Sequence, residues 1–256
     1  MAQPLPDAFV RLPVAHRALH DAAAGRPENS LAAVRAAVQA GYAIEIDVQP
    51  SRDGVPMVFH DYHLFRLTGV AGAVRSRTAA ELGRLKLKGS VEGVPTLAQV
   101  LAEVAGRVPV LIEVKDQDGD MGATIGTLER AVADQLSGYK GPAAVMSFNP
   151  HSIAVLAGAA PQLPRGLTTS AYRPGDWPLL SARMRDILRG IPDYDDVGAS
   201  FISHEASDLT NPRVAALKER GAAVLAWTIR SPEAEAAARA VADNVTFEGY
   251  AAAIPA

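Results

Sequence analysis

Two short runs of this chain place ionisable side chains inside segments that otherwise have the pattern of buried β-strands. The runs are AIEIDV at residues 43–48 and VLIEVK at residues 110–115. Because side chains alternate between the two faces of a strand, Glu45 and Asp47 share one face, as do Glu113 and Lys115. A carboxylate without a partner is costly to bury in an apolar interior. The pattern therefore indicates that these side chains bind a cation or an anionic ligand.

Two histidine-containing pairs strengthen this interpretation. One such strand alone would be explained as well by an exposed strand with a polar outer face. However, His16-Arg17 and His60-Asp61 also follow apolar runs. Histidines and further charged residues therefore lie at predicted strand ends, as the acids do. Together these groups favour a functional site over an exposed surface.

The composition limits what this site can bind. Lys and Arg number 25 against 28 Asp and Glu, and the net charge of −3 predicts no broad attraction to nucleic acid or anionic lipid surfaces. The chain has no cysteine, which excludes disulfides, a thiolate nucleophile and sulfur-ligated zinc. Any metal therefore has oxygen or imidazole ligands, and hard cations are favoured.

Strand-like apolar runs alternate with alanine-rich amphipathic segments along the whole chain, a pattern typical of a parallel sheet with crossover helices. The eight expected strands lie near residues 12–16, 43–48, 110–115, 143–148, 165–169, 199–203, 223–228 and 244–248. Helices are expected after Ser30 and at the Asn211-Pro212 and Ser231-Pro232 pairs, which are good helix starts. Eight such units in 256 residues predict an α/β fold of the TIM (β/α)8 barrel class. An open doubly wound sheet is the alternative.

One interval is too long for a single crossover helix, because about sixty residues separate the second strand from the third. Within it, residues 55–60 indicate a short strand, residues 78–85 a helical turn and residues 96–104 the helix before strand three. We therefore expect residues 1–256 to form a single domain with a small insertion between strand 2 and strand 3, at approximately residues 61–95.

The first residues contain no basic region followed by an apolar run, and no apolar stretch approaches the 18 residues of a membrane span. We therefore expect a cytoplasmic protein with a small-molecule substrate, without a nucleic-acid partner and without stable membrane association. The oligomeric state is not indicated by the sequence.

In order and spacing, a set of short motifs resembles the glycerophosphodiester phosphodiesterase family. The motifs are His16-Arg17, Pro27-Glu28-Asn29-Ser30, Glu45-Ile46-Asp47, Asp53-Gly54, His60-Asp61, Pro95-Thr96-Leu97 and Glu113-Val114-Lys115, followed more weakly by Ser147-Phe148 and Ala226-Trp227-Thr228. Together they cover nearly the whole chain. The resemblance implies a TIM barrel with a small insertion after strand two, one divalent cation, and hydrolysis of a phosphodiester that joins glycerol 3-phosphate to an alcohol.

The resemblance also implies roles for individual residues. Glu45, Asp47 and Glu113 match the metal ligands of the family, and an all-carboxylate set suits Mg²⁺ or Ca²⁺. His16 and His60 match its acid/base pair. A second tier of supporting residues comprises Glu28, Asn29 and Trp227. Asn29 alternatively helps to cap the following helix, and Trp227 alternatively fills the barrel mouth.

The chemistry of a phosphodiester explains the need for these groups. The transition state of its hydrolysis gathers negative charge on the equatorial oxygens and on the leaving alkoxide, and a cation offsets that charge. Arg17 offers two parallel hydrogen bonds to phosphate oxygens, and Lys115 adds a point charge, so we expect both to bind the substrate phosphate. One histidine must accept the proton of the nucleophile while the other protonates the departing oxygen. The nucleophile is either water or the 2-hydroxyl of the substrate, which would give a cyclic phosphate.

Two departures from the family pattern concern the rim of the pocket. Ala18 follows His-Arg where the family usually has glycine, and Thr246-Phe247-Glu248 ends the last strand where Thr-Asp is common. They affect the expected alcohol more than the reaction type. Two alternative functions are a lysophospholipase D or phosphatidylinositol phospholipase C-like activity on a lipid phosphodiester, and a non-catalytic ligand-binding barrel. The lipid activity predicts an apolar rim, whereas residues 61–95 offer scattered leucines among charges.

Overall fold

The computed structural model describes residues 3–117 and 119–255. The strands in these residues are β1 (Val14–Ala15), β2 (Ala43–Pro50), β3 (Pro56–Val58), β4 (Val110–Val114), β5 (Ala143–Ser147), β6 (Arg165–Thr169), β7 (Phe201–Glu205), β8 (Ala223–Ile229) and β9 (Asn244–Phe247). All except β3 run parallel in one ring, which closes because β1 pairs with both β2 and β9. β3 pairs antiparallel with β2 outside the ring. The predicted TIM barrel is confirmed, and the alternative of an open sheet is wrong.

The helices in the same residues are α1 (Asp7–Arg11), α2 (Leu31–Ala40), α3 (Phe65–Thr68), α4 (Ala79–Arg84), α5 (Leu97–Val104), α6 (Thr127–Ser137), α7 (Pro150–Ala159), α8 (Ala182–Arg189), α9 (Pro212–Glu219) and α10 (Pro232–Ala238). The capping residues act as the sequence predicts. Ser30, Asn211 and Ser231 each accept a backbone N–H of the helix that they precede. None of these helices combines the length and apolar character needed to cross a bilayer.

The barrel interior is apolar at its N-terminal end. Phe9 of α1 packs there with inward-facing side chains of the strands, including Leu111, Phe201 and Leu225, and all four are fully buried. Gly166 of β6 leaves room for this plug, because a Cβ atom at that position would lie 2.4 Å from the ring of Phe201. The inward-facing positions nearer the C-terminal ends of the strands hold the polar residues. The apolar cluster around Phe9 therefore lies directly below a polar opening at that end of the barrel, which is called the mouth from here on.

The alternation in β2 and β4 takes the predicted form. Ile44, Ile46 and Ile112 face outward and are fully buried between the barrel and its helices. The residues between them in the sequence, Glu45 and Glu113 among them, therefore face the barrel axis. A period of two thus separates the structural residues of these strands from the candidate functional ones.

The segment between β3 and α5 contains α3, a 3₁₀ turn (Val74–Ser76) and α4, and has its own apolar cluster. Met57, Phe59, Leu64 and Leu82 are fully buried in this cluster. The predicted short strand and helical turn both occur here. The strand is shorter than expected at its C-terminal end, where the Gln49 side chain rather than a neighbouring strand bonds the Phe59 carbonyl.

Two strand boundaries differ from expectation. β1 is reduced to two residues, because the chain enters a left-handed turn directly after His16. The strand expected at residues 199–203 lies at Phe201–Glu205, because the N–H of Ala199 still bonds the carbonyl of Tyr194 in the preceding turn. This shift places residue 204 inside β7 rather than after its end.

Candidate active site

The C-terminal ends of the barrel strands surround a cavity of about 880 Å³. Eight predicted site residues line it: His16, Arg17, Glu45, Asp47, His60, Glu113, Lys115 and Trp227. Glu28 and Asn29 lie behind this lining, where they contact Arg17 and Asp47 respectively. The fold thus brings residues from distant parts of the chain to one mouth, as strand ends in a barrel predict.

Three acids form a compact cluster at the base of the mouth. Carboxylate oxygens of Glu45, Asp47 and Glu113 lie within 4.8 Å of one another, and all three residues are buried. Asp47 and Glu113 are direct neighbours in the register of β2 and β4. Carboxylates at this spacing repel one another strongly in a buried environment, so the cluster could hold a hard cation through oxygen ligands.

Burial and neighbouring charges act in opposite directions on two of these acids. Burial, together with the negative charges of Asp47 and Glu113, raises the pKa of Glu45 well above its ordinary value. Burial also opposes ionisation of Asp47, but electrostatic interactions with His60 and Lys115 outweigh burial and lower the pKa of Asp47. The ionised form of Glu45 would therefore gain from a further cation.

Lys115 extends over the acidic cluster from the end of β4. Its Nζ atom lies 2.7 Å from Glu113 Oε1 and 3.4 Å from Asp47 Oδ1. Burial disfavours the ammonium, but the two carboxylates outweigh burial and raise the pKa of Lys115. The lysine is therefore charged, and it both pairs with Glu113 and faces the cavity.

The segment after β1 turns through the left-handed region, with φ of 51° at Arg17 and 64° at Ala18. The turn is bonded to β2, because the N–H of Arg17 donates to Glu45 Oε2 at 2.8 Å and the N–H of Ala18 donates to the Glu45 carbonyl at 2.9 Å. Ala18 therefore adopts a conformation that glycine adopts more readily. The departure from the family pattern at this position leaves a turn that still orients Glu45.

The Arg17 side chain is held between two acids. Its Nη1 atom donates to Glu28 Oε1 at 2.8 Å, and its Nε atom lies 3.7 Å from Asp47 Oδ2. The pKa of Arg17 is raised, because Asp47 and Glu28 outweigh the burial that opposes its charge. A fixed, charged guanidinium beside the acidic cluster is suited to bind an anion.

Asn29 orients Asp47. The Asn29 Nδ2 atom donates to Asp47 Oδ2 at 2.9 Å, and its Oδ1 atom accepts the N–H of Asp47 at 3.3 Å. The cap of α2 is Ser30, whose side chain accepts the N–H of Ala33. The alternative interpretation of Asn29 as a helix cap is therefore wrong.

His16 is oriented by Glu248, which follows β9. The His16 Nδ1 atom lies 2.6 Å from Glu248 Oε2, and the other Glu248 oxygen accepts from Arg230 at 2.8 Å. Burial lowers the pKa of His16 and outweighs the bond to Glu248. The hydrogen bond from His16 and the nearby His20 ring, whose Nε2 atom lies 3.5 Å from Glu248 Oε2, lower the pKa of Glu248. A neutral imidazole thus donates its Nδ1 hydrogen to an ionised carboxylate, and its Nε2 atom is left for exchange.

His60 has the same kind of partner. Its Nδ1 atom lies 2.8 Å from Asp61 Oδ1. Burial would raise the pKa of Asp61, but hydrogen bonds from His60 and Arg66 lower it, so the carboxylate is ionised. The amide of Gln49 in β2 donates to the carbonyls of Phe59 and His60, which fixes this segment to the barrel.

The part of the cavity over β6, β7 and β9 presents hydroxyl groups. Thr168, Ser203 and Thr246 line the cavity, each is at most 2% exposed, and their hydroxyls have no hydrogen-bond partner among the described residues. Trp227 also lines this part, with its ring centroid 5.6 Å from that of Phe148. Trp227 therefore lines the mouth and packs within it at the same time.

His204 directly follows the strand expected at residues 199–203, whereas in the structure it lies within β7. The strand β7 extends to Glu205, and its inward-facing side chains at the mouth, Ser203 and Glu205, line the cavity. His204 faces outward and is fully buried, with its Nδ1 atom 2.8 Å from Thr169 Oγ1 and its Nε2 atom 3.2 Å from Asp208 Oδ2.

Sequence reasoning missed two residues that contact this site. Glu248 lies 232 positions from His16, so no local spacing links the two. Arg66 belongs to the segment between β3 and α5 and bonds both Glu28 and Asp61. The available signal for Glu248 was its place after the last strand, and for Arg66 its place shortly after the His60-Asp61 pair.

Known proteins are similar to this chain in sequence and in fold. The model of the glycerophosphoryl diester phosphodiesterase family matches residues 16–247. A Bacillus subtilis (strain 168) protein that carries the name glycerophosphodiester phosphodiesterase is 27% identical over 238 residues, 89% of this chain and 90% of that protein. A glycerophosphodiester phosphodiesterase of Caldanaerobacter subterraneus subsp. tengcongensis is 31% identical over 149 residues, 55% of this chain and 60% of that protein. The structure of an Oleispira antarctica phosphodiesterase in complex with the product sn-glycerol-3-phosphate is similar, with a TM-score of 0.73, 26% identity and 94% of each chain covered.

Proposed function

The chain belongs to the glycerophosphoryl diester phosphodiesterase family and is a phosphoric diester hydrolase, and from that premise we propose that it hydrolyses glycerophosphodiesters to glycerol 3-phosphate and an alcohol with the help of one divalent cation. The observation that carries the proposal is the convergence of three buried carboxylates, Glu45, Asp47 and Glu113, on one point of the cavity. The Oleispira antarctica phosphodiesterase, which is similar along 94% of the chain, binds sn-glycerol-3-phosphate as its product. The same product is expected here.

The acidic cluster fits a divalent cation. Lys115 and Arg17 supply two positive charges beside three carboxylates, so the cluster is short of one positive charge when all three acids are ionised. The raised pKa of Glu45 is a sign of that shortage. Glu45, Asp47 and Glu113 would hold the ion, and their oxygens suit either Mg²⁺ or Ca²⁺. When bound, the cation would offset the negative charge that develops on the phosphoryl oxygens.

Arg17 and Lys115 would bind the phosphate. The guanidinium of Arg17 is held by Glu28 on one side, which leaves its remaining N–H groups for phosphate oxygens. Lys115 faces the same cavity with a charged Nζ atom. Two fixed positive groups at one end of the mouth favour an anion over a neutral ester.

His16 and His60 would move the protons. Each uses its Nδ1 atom on a carboxylate, so each presents Nε2 as the atom that exchanges a proton with the substrate. One accepts the proton of the nucleophile as it attacks phosphorus, and the other donates a proton to the oxygen of the departing alcohol. The low pKa of His16 keeps it neutral at pH 7, ready to accept a proton.

The hydroxyl-bearing part of the mouth would bind the uncharged portion of the substrate. Hydroxyls of Thr168, Ser203 and Thr246 are buried and free to bond polyol hydroxyls, and Trp227 offers an apolar wall to carbon atoms. A molecule with a phosphate at one end and a short polyol at the other matches these two halves of the cavity. Glycerol 3-phosphate has this form.

Release of glycerol 3-phosphate from glycerophosphocholine, measured with Mg²⁺, with Ca²⁺ and with a chelator, tests the proposal. We expect turnover with a divalent cation, loss with the chelator, and loss of at least about 100-fold in kcat/KM for E45A and E113A, because each removes a cation ligand. D134N, which changes an exposed acid on α6, is the matched control and should retain activity. Full activity in the chelator, or in E113A, would refute the role of the cluster.

A further inference from the structure

Arg66 of α3 joins two carboxylates through one guanidinium group. Its Nε and Nη2 atoms donate to Asp61 at 2.6 and 2.8 Å, and its Nη1 and Nη2 atoms donate to Glu28 at 2.7 Å each. Four of the five N–H donors of the side chain are thus used in two forked pairs. The hydrogen bonds from Arg66 lower the pKa of Glu28, although burial would raise it.

Each of these carboxylates holds a different candidate functional side chain. Asp61 Oδ1 bonds His60 Nδ1 at 2.8 Å, and Glu28 Oε1 bonds Arg17 Nη1 at 2.8 Å. Arg66 itself is not part of the cavity lining. The guanidinium therefore lies behind both the proton-transferring histidine and the phosphate-binding arginine, and it contacts both of their partners.

We propose that Arg66 is a positioning residue that sets the orientation of His60 and of Arg17 together, an inference that rests on the proposed function. Without its charge, Glu28 and Asp61 would face each other as two carboxylates that approach the same point in space. Their repulsion would displace both, and His60 and Arg17 would lose the partners that orient them. The helix α3 would then contribute to the reaction through one side chain that never touches substrate.

The alternative is that Arg66 forms ordinary surface ion pairs. Its side chain is 48% exposed, and exposed ion pairs contribute little to stability. A purely structural role therefore predicts a small change in melting temperature and no separate change in kcat or KM. A positioning role predicts large kinetic changes with a small change in stability.

The test compares R66M and R66K with the parent enzyme in the glycerophosphocholine assay. We expect R66M to lower kcat and to raise KM, with kcat/KM reduced by about 10- to 100-fold, the loss typical of removing a side chain that orients a functional group. R66K restores the charge without the fork, so its activity should lie between those of R66M and the parent.

Two single variants separate the effect of Arg66 on His60 from its effect on Arg17. D61N should mainly lower kcat through His60, and E28Q should mainly raise KM through Arg17. If Arg66 acts through these carboxylates, adding R66M to D61N should lower kcat little further, and adding R66M to E28Q should raise KM little further. Losses in kcat that multiply in R66M/D61N would contradict the inference.

A readout that does not need turnover keeps this inference distinct from the proposed function. Asp61 accepts from His60 Nδ1, so the ¹⁵N shifts of His60 should report a ring protonated at Nδ1 in the parent and a mixture of tautomers in R66M and R66K. R52M is the matched control, because Arg52 is an exposed arginine that pairs with Glu81 at 3.5 Å away from the cavity. Unchanged His60 shifts in R66M, or changes of equal size in R52M, would overturn the inference. A parent enzyme that releases no glycerol 3-phosphate would refute the proposed function instead.

Discussion

Both histidines of the site use the Nδ1 atom on a carboxylate, but those carboxylates come from different places in the chain. Asp61 is the neighbour of His60 in the sequence, and the pair is visible as a dipeptide. Glu248 reaches His16 only because β9 closes the barrel beside β1. At the residue scale, the sequence therefore identifies the groups that could react, whereas the groups that orient them depend on how the strands are ordered.

Removing the charge of Glu248 should lower the pKa of His16 further. Burial already holds this pKa below its ordinary value, and the hydrogen bond to Glu248 acts in the opposite direction. In E248Q the imidazolium loses that partner, so protonation of His16 requires a lower pH. An NMR titration of the histidine ring protons in chelator measures the midpoint, with the His16 signal assigned from H16Q.

His151, which is exposed on α7, provides the reference signal within the same spectra. A His16 midpoint that rises in E248Q, or one that stays unchanged, would contradict the assigned hydrogen bond.

Because the pKa of Glu248 is lowered in the folded state, ionisation of its carboxylate contributes a stabilisation of the fold. It is present above about pH 4.3 and is lost as the pH falls through the folded-state value.

Asn29 shows why the type of residue alone was insufficient. An asparagine before a helix can also help to cap it, but the cap of α2 is the predicted residue Ser30 alone. The φ of 57° at Asn29 turns its amide toward Asp47 instead. Such a choice between two adjacent residues depends on backbone angles that no sequence pattern specifies.

At the scale of elements, periodicity predicted which residues share a face, and helix caps predicted where helices begin. The inward position of Glu45 and Glu113 follows from the period of two, and α2 begins where Ser30 predicts. Strand ends were harder to predict. The strand β7 is shifted by two residues from its expected position, because hydrogen bonds in the preceding turn compete with strand pairing.

Gly166 provides a test of how the barrel floor is packed. A methyl group there would lie 2.4 Å from the Phe201 ring, and both residues lie inside the closed barrel. We therefore expect G166A to lower the free energy of unfolding by about 1–3 kcal/mol, the usual range for overpacking a core. Chemical denaturation followed by circular dichroism measures this change.

Gly158 in α7 is the matched control. A Cβ atom there meets no atom within 4 Å, and alanine suits a helix better than glycine. G158A should therefore leave the stability unchanged or raise it by up to about 1 kcal/mol. Equal destabilisation by the two substitutions would mean that the contact with Phe201 does not determine the cost.

At the scale of the whole molecule, we propose that residues 1–256 form one domain in which residues 61–95 are an insertion. β3 pairs with β2, and an isolated bridge joins Met57 to Thr96, so both ends of the inserted segment are tied to the barrel. The separate apolar cluster of this segment explains how it folds on the barrel side without contributing to the barrel core. Its length was visible in the sequence, whereas its contact with the site through Arg66 was not, because an exposed arginine has no distinguishing pattern.

From the same charge balance we expect the stability of the whole molecule to depend on divalent cations. Three acids of the cluster face two positive side chains, so a bound cation would stabilise the folded state and would have no such site in the unfolded chain. A cation at 100 times its Kd contributes about 2.7 kcal/mol, which for a chain of this size corresponds to a rise of roughly 5–10 °C in Tm. Differential scanning fluorimetry with Mg²⁺, Ca²⁺ or chelator measures the rise.

E113Q should lose the cation-dependent rise in Tm, because one ligand is neutral, whereas D134N should keep it. A rise of the same size in E113Q would place the cation elsewhere, and no rise in the parent would mean that Lys115 and Arg17 already balance the cluster.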